Sequence, residues 1–195
     1  MDIKLRMANL NDAQDILDIY EPYVRDTIIT FEYEVPTIQE FRSRIENTLE
    51  NYPYIVCLID NKIVGYVYAG RHKERAAYMW NVELSIYLHK EYTKYGIGKT
   101  LYKVILDILK LQNIQNVYGC VTANNIASEK FHECFGFNKL GIFHKTGYKF
   151  NKWHDVTWYE KNIGGYGEPK KFISIKEINN KNIEEVLNKY TLQLI

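Results

Sequence analysis

Between residues 77 and 112 the chain reads AYMWNVELSIYL, a polar connection, YGIGKT, and then Leu101, Val104, Ile105, Ile108 and Leu109 at spacings of three and four. This stretch constrains the fold more than any other. A β-rich segment must pass through two glycines, two residues apart, into an amphipathic helix running from Gly98 to Gln112, and such a junction leaves backbone amides open at the helix start. Gly98-Lys99-Thr100 matches the last three letters of a P-loop. The likeness stops there, because the first glycine position is Thr93 and His89-Lys90-Glu91-Tyr92 is too polar to end a buried strand. Nor does an apolar strand ending in Asp follow to hold magnesium. A dinucleotide fingerprint is excluded by the missing third glycine.

What remains is an anion site at a helix N-terminus, flanked by Lys94 and Lys99. A pyrophosphate there, with its organic arm lying back along LSIYL, is what coenzyme A requires.

The rest of the chain is read by periodicity. Ile3 to Met7 is a short strand, and Ile16, Leu17, Tyr20 and Val24 mark a first helix. Thr37 and Glu40 make a capping box ahead of a second helix with Phe41, Ile45 and Leu49 on one face. YIVCLI (54–59), an Asp60-Asn61 turn and KIVGYVYAG (62–70) form a hairpin. Residues 77–88 supply a third strand of that group and NVYGCV (116–121) a buried strand. NNIASEKFHECFGF is a helix stopped by Gly136, and two closing strands follow. The order β-αα-βββ-α-β-α-ββ is an α/β pattern, a central mixed sheet flanked by helices. GGYGEP (164–169) reads as a linker, dividing residues 1–162 from a tail, 163–195, that carries an amphipathic helix with Ile183, Val186, Leu187 and Tyr190. Docking of that helix on its own chain is expected.

Composition closes off several classes. With a net charge of +1 and both signs interspersed, the chain has no basic field for nucleic acid. No stretch of 18 apolar residues and no leader-like start occurs, so a cytoplasmic protein without a membrane segment is expected. Cys57, Cys120 and Cys134 sit among apolar neighbours with no C-x-x-C spacing and are expected as buried free thiols. His72, His89, His144 and His154 show no metal-ligand spacing, so no metal is assigned. Seventeen tyrosines suit half-buried strands and substrate pockets, though a drift toward Tyr, Ile, Asn and Lys accounts for them more simply.

The ordered motifs TFEYE (30–34), GYVYAG (65–70), AYMWNVELSIYL (77–88), TKYGIGKTLY (93–102), NNIASEKFHECFGF (124–137), GYK (147–149) and WHDV (153–156) resemble the GNAT family of acyl-CoA-dependent N-acetyltransferases. Within it they are similar to the phosphinothricin and methionine sulfoximine or sulfone N-acetyltransferases. The likeness covers the first 162 residues or so and not the tail. One departure is Thr93, where the family opens its loop with Gln or Arg. The resemblance implies the GNAT fold, acetyl-CoA as cosubstrate, a small amine acceptor and a homodimer. It implies an enzyme that moves acetyl to the α-amine of a small amino acid analogue. A sensor of acyl-CoA without turnover, or an acetyltransferase for another amine, is the alternative.

Glu83, in an apolar strand where desolvation raises a carboxyl, is a candidate base, and the resemblance turns it from an exposed-face glutamate into the expected one. The likeness also points to His132 for protonating the leaving thiolate. Backbone amides around Ile86, Tyr87 and Leu88 are expected to hold the oxyanion. Lys94, Tyr95, Gly96, Ile97, Gly98, Lys99 and Thr100 are expected around the pyrophosphate, and Asn125 and Ser128 at the pantetheine. For the acceptor, Arg75 would grip a carboxylate or phosphinate while Phe31, Tyr78 and Trp80 wall the pocket.

Overall fold

The computed structural model describes residues 2–93 and 95–194; Lys94, expected beside the pyrophosphate, lies outside the described residues. In chain order the elements are β1 (Ile3–Met7), α1 (Ala13–Asp26), α2 (Ile38–Leu49), β2 (Tyr54–Ile59), β3 (Lys62–Arg71), β4 (Asn81–Leu88), α3 (Ile97–Leu111), β5 (Asn116–Thr122), α4 (Ile126–Cys134), β6 (Asn138–Lys149), β7 (Lys152–Asn162) and α5 (Asn180–Thr191). They build one seven-stranded sheet in the order β1-β2-β3-β4-β5-β7-β6. β4 and β5 run parallel, and the other neighbouring pairs are antiparallel.

Local chemistry sets the frame. Asp60 and Asn61, at φ of 47° and 66°, take the left-handed conformation that a two-residue hairpin between β2 and β3 requires. Thr37 and Glu40 cap α2 reciprocally, with the Glu40 amide donating to Thr37 Oγ1 at 3.2 Å and the Thr37 amide to Glu40 Oε2 at 2.8 Å. β4 begins at Asn81, later than residue 77, because Ala76–Tyr78 forms a 3-10 turn. The Trp80 carbonyl then accepts from the amides of Gln115 and Asn116, which starts the parallel pairing at that point.

Both sheet faces are covered. Alternate residues of β2 divide between them: Ile55, Cys57 and Ile59 join α3 and α5, whereas Tyr54, Val56 and Leu58 join α1 and α2. Of the cysteines, Cys57 is buried but Cys120 and Cys134 are exposed, contrary to expectation, and all three are free. Strand alternation explains Cys120, since Val117, Gly119 and Val121 take the inward positions of β5.

The tail folds back on its own chain. Ile175, Ile178, Ile183, Leu187 and Tyr190 are buried in the cluster that contains α3. Tyr190 Oη donates to Asp107 Oδ2 at 2.6 Å, and Gln112 Nε2 donates to the carbonyls of Asn51 and Ile173 at 2.6 and 2.9 Å. On the opposite face the loop after α1 is held by Lys149, only 2% exposed, whose Nζ donates to the carbonyls of Val24 and Thr30 at 2.7 and 2.8 Å. Phe31 from the same loop lies over Gly147, where a Cβ would stand 2.4 Å from the ring.

Leu187→Ala is expected to cost about 2–4 kcal/mol in denaturant unfolding, as for other buried leucines. Lys149→Met should cost about 2–3 kcal/mol by leaving two carbonyls without a donor, read by the same titration.

Candidate active site

β4 and β5 pair only through Asn81–Asn116, Val82–Val117 and Glu83–Tyr118. Beyond Glu83 they part: β4 stays with β3 as far as Leu88, while β5 stays with β7 as far as Thr122. The His89 amide bonds the Val64 carbonyl, so by antiparallel alternation Tyr87 and Ser85 also turn their backbone groups to β3. The Leu84 amide turns to β5, where it closes the Glu83–Tyr118 pair, and the Ile86 amide turns into the gap. Leu88 differs from them, because Tyr23 Oη donates to its carbonyl at 2.7 Å and lies 3.4 Å from its amide. Of the three positions expected to hold an oxyanion, Ile86 alone points a free amide into the split. A cavity of about 90 Å³ occupies the gap, with Glu83, Ser85, Tyr102, Cys120, Asn125 and His132 among its walls.

Glu83 stands at the fork, its side chain 36% exposed, and burial raises its carboxyl above the ordinary range. Gly70 is directly opposite on β3, and a Cβ there would meet nothing within 4 Å, so the space beside Glu83 is open. His72 follows two residues along the same face, stacked on Tyr118 at 4.2 Å, with Nδ1 3.9 Å from Glu83 Oε2. Burial, and then the charge of Lys73, lower the His72 imidazole below its ordinary value. It is therefore neutral near pH 7 and makes no ion pair with Glu83.

His132 is buried on α4, and its ring rests on Gly119, where a Cβ would come within 2.6 Å of Nε2. Nδ1 lies 2.8 Å from the Ser128 carbonyl, which can only accept, so Nδ1 carries the proton. Nε2 is then an acceptor, 3.0 Å from Tyr102 Oη, which donates to it. Burial lowers the imidazole and raises the fully buried Tyr102 phenol. At the cavity wall the Tyr102 phenol thus donates to a neutral His132.

The glycine loop has the form an anion needs. Gly96, at φ +75°, takes the left-handed conformation before α3. Gly98 lets the first turn approach β4, since a Cβ there would lie 3.3 Å from Leu88 Cδ1. The amides of Ile97, Gly98 and Lys99 precede the first helical bond, from the Thr100 amide to the Gly96 carbonyl, and such amides at a helix start suit phosphate oxygens. Thr100 is buried and Tyr95 and Lys99 are exposed. Asn125 caps α4 by accepting from the Ser128 amide at 3.2 Å, and both residues line the gap. A free helix start beside a split sheet fits the pyrophosphate and thioester arm of acetyl-CoA.

The residues expected around the acceptor lie outside the cavity between β4 and β5. Arg75 is exposed at the start of the 3-10 turn, and Tyr78 lies under Lys73 Nζ at 5.0 Å. The Trp80 indole donates to the Lys170 carbonyl at 2.7 Å, which commits it to the tail. Phe31 stacks near His154, with ring centroids 6.2 Å apart. None of the four lines the gap. Sequence reasoning passed over Tyr102 and His72: Tyr102 reads as one more apolar position of α3, and His72 enters only through the β3–β4 register. The alternation Tyr66, Tyr68, Gly70, His72 was the available signal.

Among the described residues no helix is long and apolar enough to cross a membrane, and no group of three His, Cys, Asp or Glu side chains could hold a metal.

Comparison with known proteins agrees with this geometry. The chain is 30% identical over 161 residues to the phosphinothricin N-acetyltransferase of Streptomyces viridochromogenes, covering 83% of this chain and 88% of that one. It is 24% identical to the L-methionine sulfoximine/L-methionine sulfone acetyltransferase of Salmonella typhimurium, covering 85% of this chain and 97% of that one. Among solved structures, a phosphinothricin acetyltransferase from Sinorhizobium meliloti in complex with acetyl-CoA superposes with a TM-score of 0.82 at 29% identity, covering 87% of this chain and 94% of that one. The sequence model of the acetyltransferase (GNAT) domain matches residues 5–158. With a sheet split after Glu83 and a free helix start beside it, this chain belongs to the GNAT acetyltransferases.

Proposed function

We propose that this enzyme acetylates the α-amine of a small amino acid analogue of the phosphinothricin, methionine sulfoximine or methionine sulfone class, with Glu83 as the base. The chemistry of the family is acetyl transfer from acetyl-CoA to an amine. The observation that carries the reading is the position of Glu83, a desolvated carboxylate where β4 leaves β5, facing the open space at Gly70. The relatives' acceptors support the substrate class.

The residues divide the work. The amides of Ile97, Gly98 and Lys99 hold the pyrophosphate, while Asn125 and Ser128 border the pantetheine. Acetyl-CoA supplies an acyl carbon open to attack and a thiol that leaves. Glu83 takes one proton from the acceptor ammonium, which frees its lone pair. Negative charge developing on the acyl oxygen meets the amide of Ile86, fixed by the strand and so preorganised. A second proton on the attacking nitrogen passes to Tyr102 Oη as the phenol proton moves to His132 Nε2; the reverse transfer protonates the departing sulfur. Ammonium, amide and thiol then balance with one proton released to solvent through Glu83.

The protein is further proposed to be cytoplasmic and to pair with a second copy through the sheet end at β6. There Leu140, Ile142, Phe143, Tyr148 and Trp153 of the β6–β7 hairpin are each at least 40% exposed, an apolar surface that a partner would cover.

CoA release in the presence of phosphinothricin, methionine sulfoximine and methionine sulfone tests the reading; acetyl-CoA binding with no turnover on any of the three rejects it. Glu83→Gln is expected to lower kcat/KM by about 10²–10³-fold at pH 7. A base works only when deprotonated, so wild-type rates should fall as pH drops through the raised Glu83 pKa, and a pH–rate series on Glu83→Gln should lose that acid limb. Tyr102→Phe should lower kcat by about 10–100-fold, in the range of lost proton-transfer partners, with acetyl-CoA binding by calorimetry unchanged.

A further inference from the structure

Burial is the one influence that moves the Glu83 carboxyl, so among the described residues no donor holds either of its oxygens. A base left to turn about its last bond faces the amine only part of the time, and a misplacement of about 1 Å can cost on the order of 10²-fold in rate. His72 Nδ1 stands 3.9 Å from Glu83 Oε2 and is itself buried without a hydrogen-bond partner among the described residues. Buried polar atoms are nearly always paired, and each of these two groups can supply what the other lacks.

Packing aims the imidazole at the carboxylate. Gly70, Glu83 and Tyr118 lie in one row across β3, β4 and β5. His72, just past the end of β3, bonds the Asn81 carbonyl through its amide and lays its ring across to Tyr118, stacked at 4.2 Å and 15°. Trp158 of β7 closes on that ring edge to face at 5.7 Å and 73°. Between these two aromatic rings the imidazole has little freedom to turn. A neutral imidazole carries one N–H and an ionised carboxylate can only accept, so the favoured tautomer puts the proton on Nδ1. Nδ1 is shut off from solvent, and water does not compete for it. Closing the gap by about 1 Å gives an ordinary N–H···O bond, and catalytic hydrogen bonds commonly tighten in this way when substrate fills the site.

We infer that His72 is a positioning residue for the acetyl transfer: its Nδ1–H holds one oxygen of the Glu83 carboxylate and leaves the other aimed past Gly70 at the acceptor's amine. The inference rests on Glu83 as the base and deepens that reading. A donor on one oxygen also favours the ionised form, which offsets part of the burial that raises Glu83. The other ionisable groups around the pair are Tyr68 of β3, Tyr118 and Cys120 of β5, Lys73 beside His72 and, next to Tyr118, Glu160 of β7. Burial raises both phenols, and the thiol to about 11, so these three stay neutral near pH 7.

Two substitutions in the full chain separate bonding from packing. His72→Phe keeps a ring on Tyr118 and has no donor, whereas His72→Asn gives up the ring and places an amide N–H near the position of Nδ1. With saturating acetyl-CoA and phosphinothricin or methionine sulfone as acceptor, His72→Phe is expected to lower kcat about 10–100-fold, the range of one hydrogen bond to a charged group, with KM for acetyl-CoA unchanged. Losing a donor to the carboxylate raises the Glu83 pKa, so the acid limb of the pH–rate profile should move to higher pH by about one unit. His72→Asn should recover most of both losses. Phe active and Asn impaired, or both impaired alike, would show a packing role and overturn the inference. In a Glu83→Gln background His72→Phe should lower kcat no further; a full additional loss would show that His72 acts apart from Glu83, and overturns it too. Carbon-13 NMR of the Glu83 carboxyl reads the contact without turnover. Were no amine acetylated, the functional reading would fail, yet a Glu83 titration raised by His72→Phe and restored by His72→Asn would uphold the contact, and an unmoved titration would reject it.

Discussion

A β-sheet that opens in its middle must leave backbone amides without their usual partners, and the parting of β4 from β5 after Glu83 is the constraint on which this molecule depends. Unpaired backbone is tolerated inside a protein only where something else supplies the bond. Each strand is therefore secured on its far side, β4 by seven register pairs to β3 and β5 by seven to β7. The gap does not collapse because α3 and α4 are wedged behind it, with Tyr102 and Phe131 in edge contact at 4.7 Å. The unpaired amides thereby become a fixed feature that a substrate oxygen can use.

The same economy governs the buried charge at Lys149. Its ammonium is withdrawn from water and lowered in pKa by that burial, but it replaces solvent for two carbonyls that α1 and the following loop could not otherwise satisfy. The loop carrying Thr30, Phe31 and Glu32 is set in place as a result. From there Thr30 and Glu32 reach Tyr20, and Ile28 accepts from Thr122 Oγ1 at 2.7 Å, which ties the loop to the end of β5. One lysine thus couples α1 to the end of β5.

Much of this was legible in the chain, and the reason differs by element. The Thr37–Glu40 capping box, the Asp60-Asn61 hairpin and the periodicity of α3 are local signals, written within a few residues, and each is found where expected. Glycine loop and amphipathic tail were readable for the same reason. Side-chain assemblies that depend on register were not. His72 meets Glu83, and Tyr54 meets Tyr68, only because strands distant in sequence align in one way. Arg75 and Trp80 show the same limit: a 3-10 turn and a contact with residue 170 set their positions, and neither is written in the residues beside them.

The tail has a consequence for how copies of this protein could associate. A twisted sheet has two open ends, and a chain with both exposed is a repeating unit, able to add copies without limit. Here the Leu5 amide on the outer side of β1 bonds Thr191 Oγ1 at 3.2 Å, so the end of α5 occupies that edge. β6 forms the other edge of the sheet. The Thr191 contact thereby blunts the β1 edge against the addition of a further strand.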